Sequence, residues 1–172
     1  MTARRLGPGD ADLWQSLWHA AQLEAPGAFA AARGGAPMAT RLATARPFVW
    51  EEDGRALASA LWCRDGDPDR PDRGWVEAMY VVPAARGRGL AGRLLDALAA
   101  DAAACGMAEL WLEVGRANTP AWRAYARAGF RPATIPTPDP GPNPAPDPPT
   151  DPAKRCDAIA LMRRLEPPVP AG

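Results

Sequence analysis

A glycine-rich segment carries the clearest chemical signal in the chain. The segment RGRGLAG holds Gly87, Gly89 and Gly92 at the spacing G-x-G-x-x-G, directly after the strand-like run MYVVP. Glycines at this spacing let a backbone approach phosphate oxygens closely, and N–H groups at a helix start can then donate to those oxygens. Arg86 and Arg88 add positive charge to the segment. The pattern therefore predicts a site for a ligand that carries a diphosphate.

Two common phosphate-binding patterns fit this segment poorly. A P-loop needs Lys and Ser or Thr after its last glycine, where this chain has Arg93 and Leu94. In a dinucleotide-binding fold the first glycine follows its strand almost at once and lies early in the fold, whereas half of this chain precedes Gly87. That fold also places an acid about 20 residues further on, near Glu109 and Glu113 here. An oxidoreductase that binds NAD through GRGLAG therefore stays open as an alternative.

A third interpretation includes Arg86 in the motif. The segment YVVPAARGRGLAGRLLDAL resembles the GNAT superfamily of acetyl-CoA-dependent N-acetyltransferases, whose fingerprint is a strand, a Val-x-Pro-like exit and [RQ]-x-x-G-x-[GA] at a helix start. A second segment, LEVGRANTPAWRAYARAGF, resembles the strand–Asn–helix–Tyr–Gly-Phe region of the same family. The two segments occur in the expected order and together cover roughly Trp75 to Pro132, while the N-terminal third fits only loosely.

The resemblance implies a fold, a cosubstrate and the residues that would bind it. The fold would be α/β (α+β), with a mixed, mostly antiparallel central sheet flanked by helices, in a single domain over residues 1–172. The cosubstrate would be acetyl-CoA, which also contains a diphosphate, and no metal is expected. The residues implied to contact it lie at the strand end, in the loop, at the helix start and after the next strand: Tyr80, Val81, Val82, Arg86, Gly87, Arg88, Gly89, Leu90, Ala91, Gly92 and Asn118.

The resemblance also implies catalytic residues for attack of an amine on a thioester. Tyr125 stands seven residues after Asn118, the spacing at which the family carries its tyrosine. A phenol with an ordinary pKa near 10 stays protonated at neutral pH and can donate to a leaving thiolate. Glu113 and Glu77 are nearly equal candidates for the general base, and alternation along each strand decides which one faces the cleft. The N–H of Val81 is predicted to polarise the thioester carbonyl.

The acceptor implied by the resemblance is a primary amine of a small molecule or of a protein or peptide. In the resembled family the first helices and a late segment wall the acceptor site, which points here to Trp14, Trp18, Glu24 and Phe29. The favoured interpretation of the same residues is that they form the core and solvent faces of an ordinary helix. A proline-rich loop at about residues 132–152, with ten prolines in 21 positions, is the late segment. A non-catalytic CoA-binding module stays open as the second alternative.

The elements that must position these residues follow from apolar periodicity and from turn signals. We predict a helix over residues 10–29, a hairpin at Asp53-Gly54 and a strand over residues 74–82. A helix over residues 90–105 ends at Gly106, and a strand over residues 110–114 follows. Thr119-Pro120 opens the next helix with Asn118 or Thr119 as its cap, that helix ends at Gly129, and residues 158–162 form a last strand.

Composition excludes several functional classes. Twenty basic residues balance twenty acidic ones, which disfavours nucleic-acid binding. The chain has no apolar run long enough for a membrane span, and its three cysteines form no C-x-x-C pair, so a cytoplasmic protein with reduced thiols is expected. The single histidine, His19, is predicted to be a surface or packing residue, which leaves little room for a Ser-His-Asp site. A homodimer is an assembly that the sequence leaves open.

Overall fold

The computed structural model describes residues 2–24, 44–135 and 158–166. Its centre is a seven-stranded sheet in the order β1-β2-β3-β4-β5-β7-β6. The strands are β1 (Thr2–Arg5), β2 (Arg46–Glu52), β3 (Arg55–Arg64), β4 (Arg73–Val81), β5 (Glu109–Gly115), β6 (Arg131–Pro132) and β7 (Ala158–Arg164). The helices of the described residues are α1 (Ala11–Glu24), α2 (Leu90–Ala104) and α3 (Thr119–Arg127), with short 3-10 turns at Pro8–Asp10 and Pro83–Ala85.

The sheet is antiparallel at every junction except one. Only β4 and β5 pair in parallel, which is the arrangement that a helical crossover, here α2, allows. A buried cluster that includes Leu94, Leu98 and Leu112 packs α2 and α3 against one face of the sheet. A second cluster, with Leu17 and Leu61, packs α1 against the other face. The mixed, mostly antiparallel sheet flanked by helices that the sequence predicts is confirmed.

Local turn chemistry sets several element boundaries as predicted. Asp53 and Gly54 take φ values of 49° and 73°, and they join β2 to β3 as a two-residue hairpin. Gly106 and Gly129, with φ of 82° and 87°, follow the ends of α2 and α3, where a left-handed residue stops a helix. At these positions glycine or aspartate favours the left-handed backbone conformation that the turn needs. The residue type alone therefore predicts where the turn lies.

Three elements differ from the sequence prediction or extend it. β1 pairs with β2 from Thr2 opposite Glu51 onward, although no strand is predicted there. Pro132 lies in β6, which pairs with β7, so the predicted proline-rich loop begins later than residue 132. The remainder of that loop from residue 136, and the end of the first predicted helix beyond Glu24, fall outside the described residues.

Strand β4 has a bulge near its middle that reorients its second half. Leu61 of β3 faces Glu77, but Ser59 faces Tyr80, so β4 contains one residue more than β3 in this interval. Ala78 sits in the bulge with a φ of 55°, in the left-handed region that residues with a Cβ seldom adopt. The bulge therefore places both Glu77 and Ala78 on the face that α1 covers, since Leu61 and Ala78 belong to the α1 cluster.

No helix of the described residues is long and apolar enough to cross a membrane. Within the same residues, no group of three or more His, Cys, Asp or Glu side chains is arranged to hold a metal ion.

Candidate active site

The parallel strands β4 and β5 separate partway along their length. Pairing runs from Arg73 opposite Glu109 to Trp75 opposite Trp111 and ends there. Both strands continue, β4 to Val81 and β5 to Gly115. The last part of β4 therefore has an edge that β5 does not occupy, and we call the space between these two strand ends the gap.

Backbone groups of β4 alternate between β3 and the gap. The N–H of Val82 donates to the carbonyl of Leu57 at 2.9 Å, so this group points to β3. Neighbouring residues of a strand direct their N–H groups to opposite edges, so Val81 presents its N–H to the gap. Of the three strand residues predicted to contact the cosubstrate, Val81 is thus the one whose amide faces the gap. Met79 lies on the same edge, and the sequence reasoning missed it because the bulge carries no sequence signal.

The two candidate base residues lie on one face of the sheet and at one level. Leu112 and Val114 point into the α2 cluster, so Glu113 between them points to the α1 face. Glu77 points to that same face, as the bulge requires. Both lie two residues beyond the last paired positions, Trp75 and Trp111, so a glutamate stands on each side of the gap where it opens. Alternation therefore does not discriminate between the two glutamates.

The loop after β4 holds a run of N–H groups for which the described residues offer no hydrogen-bond acceptor. Ala85 and Arg86 donate to the carbonyls of Val82 and Pro83, which closes the 3-10 turn. The next donor after this turn is Arg93, whose N–H reaches the carbonyl of Gly89 at 3.2 Å. Across the part of the chain that the structure describes, the amides in between donate to no protein group: Gly87, Arg88, Gly89, Leu90, Ala91 and Gly92.

Two glycines give this loop its shape and its open surface. Gly87 and Gly89 have φ values of 77° and 76°, and Gly89 is the N-cap of α2. A Cβ built on either residue meets no protein atom within 4 Å. Packing within the protein would therefore leave room for a side chain at either position. The left-handed backbone favours glycine there, and a ligand that approaches the loop closely would also require a residue without a side chain. Unsatisfied donors, open space and the positive end of a helix are the properties of an anion site.

Both arginines of the loop are ion-paired with carboxylates from other elements. Arg86 pairs with Glu24 at the end of α1, and its Nε donates to the carbonyl of Val81 at 3.0 Å. Arg88 pairs with Glu52 at the end of β2. The sequence predicts that these two arginines bind a diphosphate, but carboxylates of the protein already neutralise part of their positive charge. Neither pair is predictable from the sequence, because the members of each pair are far apart along the chain.

Tyr125 lies on the other side of the sheet from the two glutamates. Its ring is 8% exposed, belongs to the cluster that includes α2, and packs edge-on against Phe130 with centroids 6.1 Å apart. Burial raises the pKa of Tyr125 to about 12, because a phenolate would lose its hydration there. The hydroxyl therefore stays protonated over the whole neutral range.

Asn118 caps the helix that carries Tyr125. Its Oδ1 accepts from the N–H of Ala121 at 3.2 Å, and Pro120 follows near the first helical position. The predicted capping role is confirmed. Its amide group lies exposed at the end of β5, beside the strand that borders the gap.

The residues predicted to wall the acceptor site have different positions. Trp14 is 2% exposed and packs in the core beneath α1, as the interpretation of this helix as an ordinary packed helix predicted. Trp18 is half-buried on the same helix, and Phe29 lies outside the described residues. His19 is exposed, as the surface interpretation predicted.

Comparison with known proteins agrees with this geometry. The family model described as Acetyltransferase (GNAT) family matches residues 11–130. An uncharacterised N-acetyltransferase of Mycobacterium tuberculosis is 34% identical over 79 residues, which are 46% of this chain and 48% of that protein. The streptothricin acetyltransferase of Streptomyces lavendulae is 48% identical over 56 residues, 32% of this chain and 29% of that protein. The chain thus spans about half the length of the first of these relatives, and less of the second.

The fold is similar to solved structures over nearly its whole length. The structure of yncA from Salmonella typhimurium, solved with its cofactor acetyl-CoA, aligns with a TM-score of 0.69 at 19% identity, covering 99% of this chain and 96% of that one. This similarity confirms the expected fold.

Proposed function

The chain belongs to the acetyltransferase (GNAT) family, and we propose that it transfers the acetyl group of acetyl-CoA to a primary amine of a small molecule or a protein. The observation that carries this proposal is a coincidence at one end of β4: the gap and the loop of unpartnered amides begin on the same few residues. A coenzyme with a diphosphate and an extended arm needs both features together.

The residues of the loop fit the diphosphate. Six consecutive amides from Gly87 to Gly92 lack protein acceptors among the described residues, and a diphosphate offers acceptors of high charge. The small residues at Gly87, Gly89 and Ala91 leave the approach open. The N-terminus of α2 adds a favourable interaction of about 0.3–1 kcal/mol with an anion at an exposed site.

The edge of β4 fits an extended amide-containing arm. Val81 directs its N–H into the gap, and Met79 lies on the same edge. Acetyl-CoA supplies a thioester when bound, and N-acetylation joins its acetyl group to an amine nitrogen with release of the thiol. A backbone N–H at Val81 or Met79 would donate to the acetyl carbonyl oxygen as negative charge develops on it.

The two proton transfers that we propose take place on opposite faces of the sheet. Tyr125, on the α2 side, would donate its proton to the departing sulfur, since the raised pKa keeps that proton in place. Glu77 or Glu113, on the α1 side, would take a proton from the incoming amine directly or through a water molecule. We therefore propose that the acceptor enters from the α1 face.

The acceptor is best sought among amines that are cationic in water. Two carboxylates flank the gap on the face where we place the acceptor, and they would attract an ammonium group. A relative of part of this chain is named for streptothricin, which makes small amine-containing antibiotics a reasonable first set. Protein N-termini form the second set.

A panel of amines tests the proposed reaction. The assay follows release of free thiol from acetyl-CoA in the presence of antibiotics, diamines, amino acids and N-terminal peptides. At least one amine should raise thiol release well above the rate without acceptor, and mass spectrometry should find the amine heavier by one acetyl group. Unchanged release across the panel, with coenzyme A still bound, would favour the non-catalytic CoA-binding module.

The two tyrosines of the chain provide a matched pair of variants. Tyr125→Phe should lower kcat about tenfold or more, because a general acid typically contributes a hundredfold or more and water can partly replace it. Tyr80→Phe removes a similar hydroxyl from the α1 side of the sheet, where it contacts Glu24, and should leave kcat at saturating acetyl-CoA nearly unchanged. Equal turnover of Tyr125→Phe and the unmodified protein would remove Tyr125 from the mechanism.

A further inference from the structure

One carboxylate connects α1 to the edge of β4 and to the loop. Oε1 of Glu24 is ion-paired with Nη2 of Arg86, and Oε2 accepts from the hydroxyl of Tyr80 at 3.1 Å. Arg86 is also held at its Nε, which donates to the carbonyl of Val81 at 3.0 Å. A single residue of the helix on the proposed acceptor face therefore contacts both the strand and the first residue of the loop motif.

The carboxylate is itself held in place by a buried group. Tyr80 is 7% exposed, so its hydroxyl has little freedom to move. Burial and then the hydrogen bond to Glu24 raise the pKa of Tyr80 above its ordinary value, so this phenol remains a donor at neutral pH. Glu24 is therefore oriented before it contacts Arg86.

This arrangement leaves most of the Arg86 guanidinium available. A guanidinium has five N–H donors in a rigid plane, and the two contacts occupy Nε and one N–H of Nη2. A freely moving arginine side chain loses rotamer entropy when it binds a ligand. Because Arg86 is already held at two atoms, it has less rotamer entropy left to lose on binding. Its remaining N–H donors therefore point in a fixed direction.

The same pair contributes little to stability. The Arg86 side chain is 49% exposed and that of Glu24 36%, and ion pairs at such exposed sites contribute little to the free energy of unfolding. The loop does not depend on the pair for its shape, since the glycine conformations and the 3-10 turn determine it. A role in ligand binding accounts for the three connected contacts better than a role in folding.

We propose that Glu24 is a positioning residue for the cosubstrate, which holds Arg86 in the orientation that binds the diphosphate of coenzyme A. This inference rests on the proposed function. It makes a specific claim beyond it: a residue of the helix on the acceptor face sets the affinity for the coenzyme, and does so only through Arg86.

Calorimetry with two ligands tests this role. Coenzyme A carries the diphosphate, and pantetheine has the same thiol arm without it. Glu24→Gln should weaken coenzyme A binding about fivefold, as expected for loss of a charge-assisted contact that orients a side chain. Pantetheine binding should not change, because no phosphate is involved. A purely structural defect would affect both ligands.

A double variant tests whether Glu24 acts through Arg86. Arg86→Ala should weaken coenzyme A binding about tenfold, and Glu24→Gln should have no further effect in that background, because coupled residues are not additive. Asp96→Asn is the matched control, since it breaks an ion pair of 2.8 Å with Arg163 whose carboxylate is 65% exposed. That control should leave both affinities unchanged.

Two results would overturn the role of Glu24 alone. If Glu24→Gln binds coenzyme A as tightly as the unmodified protein or more tightly, the carboxylate does not position Arg86 for the ligand. If coenzyme A and pantetheine lose affinity equally, the effect is structural. An unmodified protein that binds neither ligand overturns the proposed function and this inference with it.

Discussion

The two ends of strand β4 are built in opposite ways. At its beginning, Arg73, Gly74 and Trp75 pair with β5, and Gly74 and Trp75 pair with β3 as well. At its end, from Glu77 to Val81, β4 pairs with β3 alone. We refer to these as the closed end and the open end.

At the closed end several side-chain polar groups meet protein partners, although Nη1 of Arg73 is buried without one among the described residues. Arg73 is 5% exposed, its Nε contacts Asp65, and its Nη2 donates to Asp67 at 3.2 Å. The indole of Trp75 also donates to Asp65, at 2.6 Å. Burial alone would raise the pKa of Asp65, but its hydrogen bonds from Trp75, the Asp67 backbone and Arg73 outweigh this and lower it. Such a network fixes the loop that leads into β4.

At the open end, backbone N–H groups have no hydrogen-bond acceptor among the described residues. The loop amides from Gly87 to Gly92 have no acceptor within the described parts of the chain, and no described strand pairs with the edge of β4 beyond Trp75 that faces β5. Consecutive unpaired backbone donors at a helix start are the kind of arrangement that binds anions, which is why we propose a ligand there. The comparison teaches that one strand can be anchored for stability at one end and kept open for binding at the other.

The largest expected effect comes from breaking the closed end. Arg73→Met should lower the free energy of unfolding by about 3 kcal/mol, because it leaves the carboxylate of Asp65 without its buried partner. Denaturant unfolding measures this loss, and coenzyme A affinity of the folded fraction should not change. Arg55→Met, at an exposed hairpin position, is the control. A loss below about 1 kcal/mol would mean that the closed end does not depend on this network.

The next effect comes from filling the open end. Gly89→Glu should weaken coenzyme A binding about a hundredfold, since a carboxylate in the loop would repel the diphosphate and crowd it. Gly89→Ala separates the causes, because it shares the strained φ of 76° but adds no charge. Titration calorimetry measures both variants. Gly89→Glu with unchanged affinity would show that the diphosphate lies elsewhere.

The buried hydroxyl of Tyr125 gives a pH-dependent effect on stability. The folded pKa of Tyr125, about 12, exceeds the unfolded value near 10. Stability from this group is therefore complete below pH 10 and falls as pH rises from 10 to 12, by up to about 2.7 kcal/mol. In Tyr80→Phe, phenolate absorbance should report Tyr125 alone and stay low at pH 10 while the protein is folded. Ionisation with a midpoint near 10 would show that the ring is hydrated.

The smallest effect concerns the bulge between the two ends. Ala78→Gly should raise the free energy of unfolding by about 0.5 kcal/mol. Glycine removes the strain of the left-handed backbone in the folded protein, and this gain should exceed the loss from the greater conformational entropy of glycine in the unfolded chain. Ala58→Gly, in a β3 residue that is 0% exposed and has ordinary strand geometry, should instead destabilise. A comparable loss in both variants would mean that the strain at Ala78 is negligible.

Sequence reasoning predicted the parts of the fold that depend on local signals. Asn118, Gly106 and Gly129 mark helix ends because caps and left-handed residues act within one turn. The strand β1 was missed, since a short segment with two arginines has no apolar alternation. The bulge at Ala78 was missed for a different reason: alanine carries no preference for the conformation that tertiary packing imposes on it.

The site was predictable as a motif but not as a set of contacts. The loop motif located the glycines and the helix start, because its spacing is local. The partners of Arg86 and Arg88, which are Glu24 and Glu52, depend on how distant elements pack. The buried position of Trp14 likewise depends on which side of α1 meets the sheet.

Titration calorimetry of the folded protein with coenzyme A tests whether the loop and the gap together bind this coenzyme. We expect saturable binding of one coenzyme per chain, with an enthalpy that becomes more negative on warming because apolar surface is buried. NAD, which also has a diphosphate but lacks the pantetheine arm, should give no such binding. Absence of heat from coenzyme A at two temperatures, with the fold confirmed by circular dichroism, would contradict the account.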